Sequence, residues 1–376
     1  MKQNRYIYGL LALVMLLHIP FSVNAQEKSE TLEGLNVKAL ILDHLADSYE
    51  WQIVRSDTWD ITIPLPVILY SRTTGWHFFL SDRLNHGEST YRGFQIVDDG
   101  KYKGKIVERD RSGDISRPLD LSMTRNAASL LISSCLLILI VMGVARAMKR
   151  NPMKGKGGFV GMMEIFILML CDELIKPAVG KDHKRYTPFL LTIFFFIFFN
   201  NLLGLVPFFP GGANATGNIA VTLVLALTTF LVVNITGTKE YYKEIFWSDV
   251  PVWLKMPLPL MPIIEFIGLF TKPFALMIRL FANIMAGHAI VLGLTSIIFV
   301  TASMGSSINA SMTVVSMIFT IFIDFLELLV AFIQAYVFTL LSAVFIGLAR
   351  VTGPENKKNK LPEVAIANKS EINKQV

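Results

Sequence analysis

The fold class that the sequence predicts is an all-α polytopic membrane protein of about five membrane helices, with a small N-terminal extracytoplasmic segment of mixed, partly β character. Three observations carry that prediction. Hydrophobic residues make up 53% of the chain and charged ones 17%, with a mean hydropathy of +0.51, too apolar for an ordinary soluble domain of 376 residues. From Ala127 onward, apolar runs recur at the length of about 20 residues or more that crosses a hydrocarbon core as a helix. Lys and Arg gather in alternate loops, the bias that marks the cytoplasmic side. The formal charge of +6 therefore reads as a topology signal, and the expected surroundings are membrane lipid, with no nucleic acid.

The first residues, MKQNRYIYGLLALVMLLHIPFSVNAQEKSE, join a basic start (Lys2, Arg5) to a short apolar core and a small-residue site ending at Ala25. That pattern predicts a signal peptide over residues 1–25, cleaved to leave an extracytoplasmic N-terminus. A retained first membrane helix is the alternative, but its apolar core from Ile7 to Leu17 is short for a span. Residues 26–125 mix turn signals (DDGKYKG, RSGDISRP) with strand-like pieces (WDITIPLPVILY, RGFQIV), so this segment is expected to contain β structure. His44, His77 and His86 fall in it without metal-like spacing and are expected to be solvated. Cys135 and Cys171 suggest no disulfide framework, metal site or thiol nucleophile, and nothing in the chain calls for a cofactor.

The membrane domain is expected over residues 126–350, followed by a cytoplasmic tail at 351–376. Ala127 to Met148, Thr187 to Val206 and Gly217 to Thr236 are three ordinary spans. The stretch GFVGMMEIFILMLCDELIK, residues 158–176, is apolar but flanked by Arg146, Lys149, Arg150, Lys154 and Lys156 on one side and Lys176, Lys181, Lys184 and Arg185 on the other. A crossing would put one cluster outside, so this stretch is expected to lie on the cytoplasmic face as an in-plane or re-entrant helix. Met261 to Val300 and Ala310 to Ala349 are each 40 residues, or about 60 Å of helix, twice the hydrocarbon thickness. Either each run is broken, with Lys272-Pro273 as one place for it, or the two form a steeply tilted hairpin.

Polar residues inside those two runs are few: Glu265, Lys272, Arg279, Asn283 and His288 in the first, Asp324, Glu327 and Gln334 in the second. Ionisable groups at such depth point to function, because an idle charge would be expelled or paired. Glu265, Lys272 and Arg279 repeat every seven residues, and Asn283 is one turn beyond, so all four share a stripe; Glu327, Gln334 and Asp324 share another. His288 points away from Arg279, since nine residues turn an ideal helix by about 180°. Arg279 is always protonated and cannot pass a proton on, whereas His288 and Glu327 can take up and release one. A fixed positive gate beside a titratable relay is the chemistry this set permits. The structural alternative is a buried ion pair of Arg279 with Glu327 or Asp324 that pins two helices, and for Lys272 it is snorkelling near a helix end.

RLFANIMAGH, residues 279–288, resembles the signature of subunit a of the rotary F-type ATP synthase, and LELLVAFIQAYVFTLL, residues 326–341, resembles that family's final helix. NNLLGLVPF at 200–208 and PIIEFIGLFTKPFALMIRLFANI at 262–284 are similar to it as well. The resemblance covers roughly residues 120–350. It implies that Arg279 is the stator arginine facing the carboxylates of a c-ring and separating two half-channels. By the same token Glu265, Asn283, His288, Glu327 and Gln334 line or tune the access path, and the two long runs form the tilted hairpin that wraps the ring. The implied partners are the c-ring, the b-subunit peripheral stalk and the remaining synthase subunits. The implied location is a bacterial inner membrane, and the implied role is a non-catalytic subunit that couples an ion gradient to ATP synthesis. Two other classes compete on residue pattern alone. A secondary transporter would show inverted repeats and helices broken at the midplane, and an intramembrane hydrolase would need a motif such as HExxH or GxSxG.

Overall fold

Our computed structural model describes residues 47–350 apart from 56–59, 88, 98–99, 101, 110–114, 151–154, 156, 207–210, 213–214 and 247–259. The expected signal peptide, His44, the side chain of His86 and the tail therefore lie outside the described residues.

Among the described residues, those before Arg125 form three small antiparallel sheets. β1 (Glu50–Arg55) pairs with β2 (Asp60–Pro64). β3 (Pro66–Ser71) lies between β4 (Gly75–Leu80) and β8 (Leu119–Asp120). β5 (Phe94–Ile96), β6 (Ile106–Arg109) and β7 (Ile115–Ser116) make the third. The period of two fixes the sides of the middle sheet: Val67 and Leu69 point inward and are fully buried with Leu84, Phe94 and Ile106, while Tyr70 points out. Tyr49 joins this core and donates its hydroxyl to the Asp120 carboxylate. Burial foremost, then that carboxylate, pushes the Tyr49 phenol well above its ordinary range.

His77 departs from expectation. It is half-buried, edge-on to Phe94 at 4.9 Å between ring centres, with Nε2 2.8 Å from Thr74 Oγ1. The same alternation that exposes Trp76 and Phe78 turns His77 inward.

The remainder is helical. α1 (Arg125–Arg150) starts against the β region: its Arg125 N–H donates to the Ser48 carbonyl (2.8 Å), Asn126 N–H donates to Asp47 Oδ1 (3.1 Å), and Trp51 and Leu65 pack on Ala128. α2 (Gly158–Met169), a π-helical stretch (Leu170–Ile175), α3 (Lys176–Val179), a 3-10 turn (Gly180–Asp182) and α4 (His183–Leu205) form one apolar run of 48 residues. At 1.5 Å per residue that is about 72 Å, far more than one crossing. The π stretch, with its widened turn, and Gly180 at φ +78° divide it. α4 is the second expected span, and the arm from α2 to α3 is the stretch expected on the cytoplasmic face.

α5 (Ile219–Thr236) is capped by Asn218, whose side chain accepts from the Ala220 N–H at 3.0 Å, and α6 (Lys239–Phe246) follows it. α7 (Leu260–Thr301, 42 residues) and α8 (Ser306–Ala349, 44 residues) are joined by a 3-10 turn and Gly305 at φ +106°. α7 runs on through Pro273 as helix. Of the two solutions to the length problem, the chain adopts the hairpin.

Packing centres on α8. Leu174 and Ile175 of the π stretch, Leu190 and Phe194 of α4, Leu276 and Leu280 of α7 and Phe338 and Ile346 of α8 share one core. Close approach depends on small residues of α8: Ala335 and Ala343 are fully buried, and a Cβ at Gly347 would collide with the Ala178 carbonyl oxygen of α3. Arg350, just past α8, donates from Nε and Nη2 to Asp182 Oδ2 at 2.9 and 2.6 Å and from Nη1 to the Thr236 carbonyl at 3.3 Å. That fork ties the ends of α8 and α5 to the start of α4, with the planar donor geometry that only arginine offers.

Candidate functional site

α7 carries the candidate residues on two opposite faces. Arg279 and Asn283, one turn apart, are exposed, and so are Ala275, Ala282 and Ala286 on the same stripe. Those small neighbours leave the guanidinium standing clear of the helix. Among the described residues Arg279 makes no ion pair or hydrogen bond, so the helix-pinning ion pair with Glu327 or Asp324 is not formed.

On the other face His288 Nδ1 lies 2.5 Å from Glu327 Oε1 of α8. An ionised Glu327 accepts there from a ring N–H. Glu327 is 7% exposed and Gln334, two turns along the same buried face of α8, is 4% exposed. Asp324 is half-buried on the turn before. Gly287 makes the contact possible, because a Cβ in its place would sit 2.8 Å from Glu327 Oε1. The half-turn between Arg279 and His288 that the sequence implied is thus kept: one group faces out, the other faces α8.

The stripe of Glu265, Lys272 and Arg279 does not share one environment. Glu265 and Lys272 are half-buried where Arg279 is exposed. Lys272 Nζ stands 5.7 Å from the centre of the Phe345 ring of α8, at a cavity also lined by Thr229, Asn234 and Tyr241. Burial first, then the Tyr242 side chain and the Glu265 carboxylate, push the Tyr241 phenol of α6 above its ordinary range. Seven-residue spacing keeps a stripe aligned to within about 20° per repeat, but what the stripe meets changes along the hairpin.

Sequence reasoning gave no role to a second set of buried polar groups. Ser133 of α1 donates to Asn200 Oδ1 of α4 at 2.8 Å, and Thr216 donates to Asn201 Oδ1 at 2.7 Å. The Asn201 amide donates to the Ala331 carbonyl of α8 at 3.4 Å, between Glu327 and Gln334 in sequence. Asn126 and Ser129 are also buried and precede Ser133 along α1. Paired amides in an otherwise apolar helix, NN in NNLLGLVPF, were the signal available for this set.

Residues 129–347 match the family model described as ATP synthase A chain. The chain belongs to that family. A curated relative, the ATP synthase subunit a of Chloroherpeton thalassium, is 41% identical over 237 residues, which cover 61% of this chain and 67% of the relative. The subunit a of Chlorobium phaeobacteroides is 38% identical over 296 residues, 74% of this chain and 82% of the relative. That of Myxococcus xanthus is 41% identical over 243 residues, 62% and 75% respectively. As an ATP synthase A chain the protein is a component of the ATP synthase complex, and among the described residues five helices are long and apolar enough to cross a membrane, as in a multi-pass membrane protein. Residues 40–124, which include the three small sheets, match a separate model described as a domain of unknown function (DUF8433).

Proposed function

We propose that the chain conducts protons through the membrane sector of the rotary synthase, with Arg279 as the stator charge facing the c-ring and the His288–Glu327 pair as the relay that delivers the proton. The observation that supports this reading best is the division of α7 into an outward face with a bare guanidinium and an inward face with a hydrogen-bonded acid and base. A positive charge without a counter-ion among the described residues is suited to a carboxylate that arrives and departs. An imidazole in contact with a carboxylate is suited to proton transfer, since it sets a base against an acid at hydrogen-bond distance.

In this mechanism the buried chain of Asn126, Ser129, Ser133, Asn200 and Asn201 leads from the extracytoplasmic end of α1 toward Glu327 and Gln334. A proton reaching Glu327 or His288 passes to a ring carboxylate, which becomes neutral and enters lipid. On the opposite side, where Glu265 and Lys272 lie, the ring site loses its proton and the anion is drawn to Arg279. Each charge that crosses 100 mV supplies about 2.3 kcal/mol, so several drive one ATP. The guanidinium, with a pKa above about 12, blocks the short circuit between the two paths because it does not deprotonate. We propose besides, from membership of the family, contact with the b-subunit stalk, no catalysis by the chain itself and a bacterial inner membrane, and, from the loop distribution of Lys and Arg, the N-terminal segment outside and the C-terminus inside.

Exchange of the relay partners tests the reading. His288→Glu or Glu327→His alone places two like groups at 2.5 Å spacing and is expected to cut proton flux; the double exchange restores an acid facing a base and is expected to recover a large part of it. A double variant that assembles normally and conducts no better than either single change would defeat the relay assignment.

A further inference from the structure

The outward face of the β4-β3-β8 sheet is apolar: Leu80, Phe78, Trp76, Tyr70, Leu119 and Leu121 are all exposed, Phe78 to 67% and Trp76 to 53%. An exposed row of this kind on a small domain marks an interaction surface. The strand register orders it. Phe78 stands opposite Ile68, and Ile68 accepts the Leu121 N–H; Trp76 stands opposite Tyr70, which in turn faces Leu119. Leu80 thus heads the row at the end nearest α1, with Phe78 and Leu121 next and Trp76, Tyr70 and Leu119 beyond. Two residues further, at the far end, come the exposed Arg72 and Arg117.

The Leu80 end is also the end held at the membrane helix. Ser81, next to Leu80, exchanges hydrogen bonds with Leu65 at 3.0 Å, and Leu65 packs on Ala128, with Met123 and Ile132 against the same cluster. Ile132 is seven residues into α1, or about 10 Å along its axis. The underside of the domain therefore reaches the depth at which α1 has already become apolar. Past the exposed Asp82 at its near end, the face runs from Leu80, Phe78 and Leu121, through Trp76, Tyr70 and Leu119, to Arg72 and Arg117. That is the order in which a bilayer passes from hydrocarbon through its aromatic-rich interface to phosphate.

We infer that this sheet face is a membrane-docking surface, seated on the lipid of the leaflet at the Arg125 end of α1, with Trp76 and Tyr70 at headgroup level and Arg72 and Arg117 reaching phosphate. It makes the domain a lipid-bound collar for α1.

The test uses the full chain, reconstituted in the assembled complex into phosphatidylglycerol and phosphatidylcholine vesicles. With Cys135→Ser and Cys171→Ser, a single environment-sensitive fluorophore is placed by Phe78→Cys, by Leu121→Cys on a separate strand, or by Thr90→Cys as an exposed site away from the face. Nitroxide-bearing phospholipids are expected to quench the probes at 78 and 121 several-fold more than the probe at 90, and aqueous iodide to do the reverse. Iodide quenching at 78 and 121 equal to that at 90 would overturn the inference in favour of a solvated face. Protection from both quenchers would overturn it in favour of a protein partner.

Discussion

Arg279→Ala is expected to abolish gradient-driven ATP synthesis and ATP-driven proton pumping while leaving the subunit folded and assembled. The physical basis is that no group among the described residues pairs with this side chain. Arg279 is exposed, and among the described residues it forms no ion pair or hydrogen bond, so truncation breaks no polar contact and strands no buried partner among them. It even relieves the cost of an unpaired charge at membrane depth, about 2.5–3.5 kcal/mol on insertion scales. A charge at membrane depth that no group among the described residues pairs is suited to a partner outside its own chain. Pumping assays on inverted vesicles, with subunit a content measured in the same membranes, check this outcome. Arg279→Lys is expected to recover little, because an ammonium lacks the planar fork and shifts its pKa readily when desolvated.

Gly287→Leu is expected to reduce proton flux on the order of 10²-fold, the usual worth of a positioned acid or base, without touching any titratable group. The first atom of any side chain at 287 would lie 2.8 Å from Glu327 Oε1 and 2.9 Å from its Cδ. Glu327 is buried against α7, so it can yield only by turning away from His288 or by pushing the two helices apart. Gly287→Ala should give a smaller loss in the same direction. Measuring flux against pH separates this positional effect from simple misfolding, since a displaced Glu327 changes the shape of the profile, whereas a smaller amount of folded subunit only scales it.

Much of the architecture was legible because lipid imposes simple rules. Apolar length located the spans, and two 40-residue runs became helices of 42 and 44 residues. Helical phase put Arg279 and His288 on opposite faces, and so it remains. Which surface each stripe meets was not legible. Glu265 and Lys272 share a phase with Arg279, yet both are half-buried, Lys272 beside Phe345 of α8, whereas Arg279 is exposed among the described residues. The Glu327 contact depends on a glycine one residue before His288, and helix phase carries no information about interhelical distance. Asn200 and Asn201 gain their meaning only from Ser133, Thr216 and Ala331, which come from three other parts of the chain. His77 was misjudged because its short strand was not phased against its aromatic neighbours.

Passive proton conductance of vesicles carrying the membrane sector stripped of its catalytic head tests the central claim most directly, with Arg279→Ala and Glu327→Gln compared side by side. If Arg279 is a barrier and Glu327 a carrier, the two changes act in opposite ways. Arg279→Ala retains conductance although coupled pumping is gone, and Glu327→Gln loses conductance with Arg279 intact. Equal loss in both would contradict the assignment of barrier and carrier, and undiminished coupled pumping by Arg279→Ala would remove the stator charge from the account altogether.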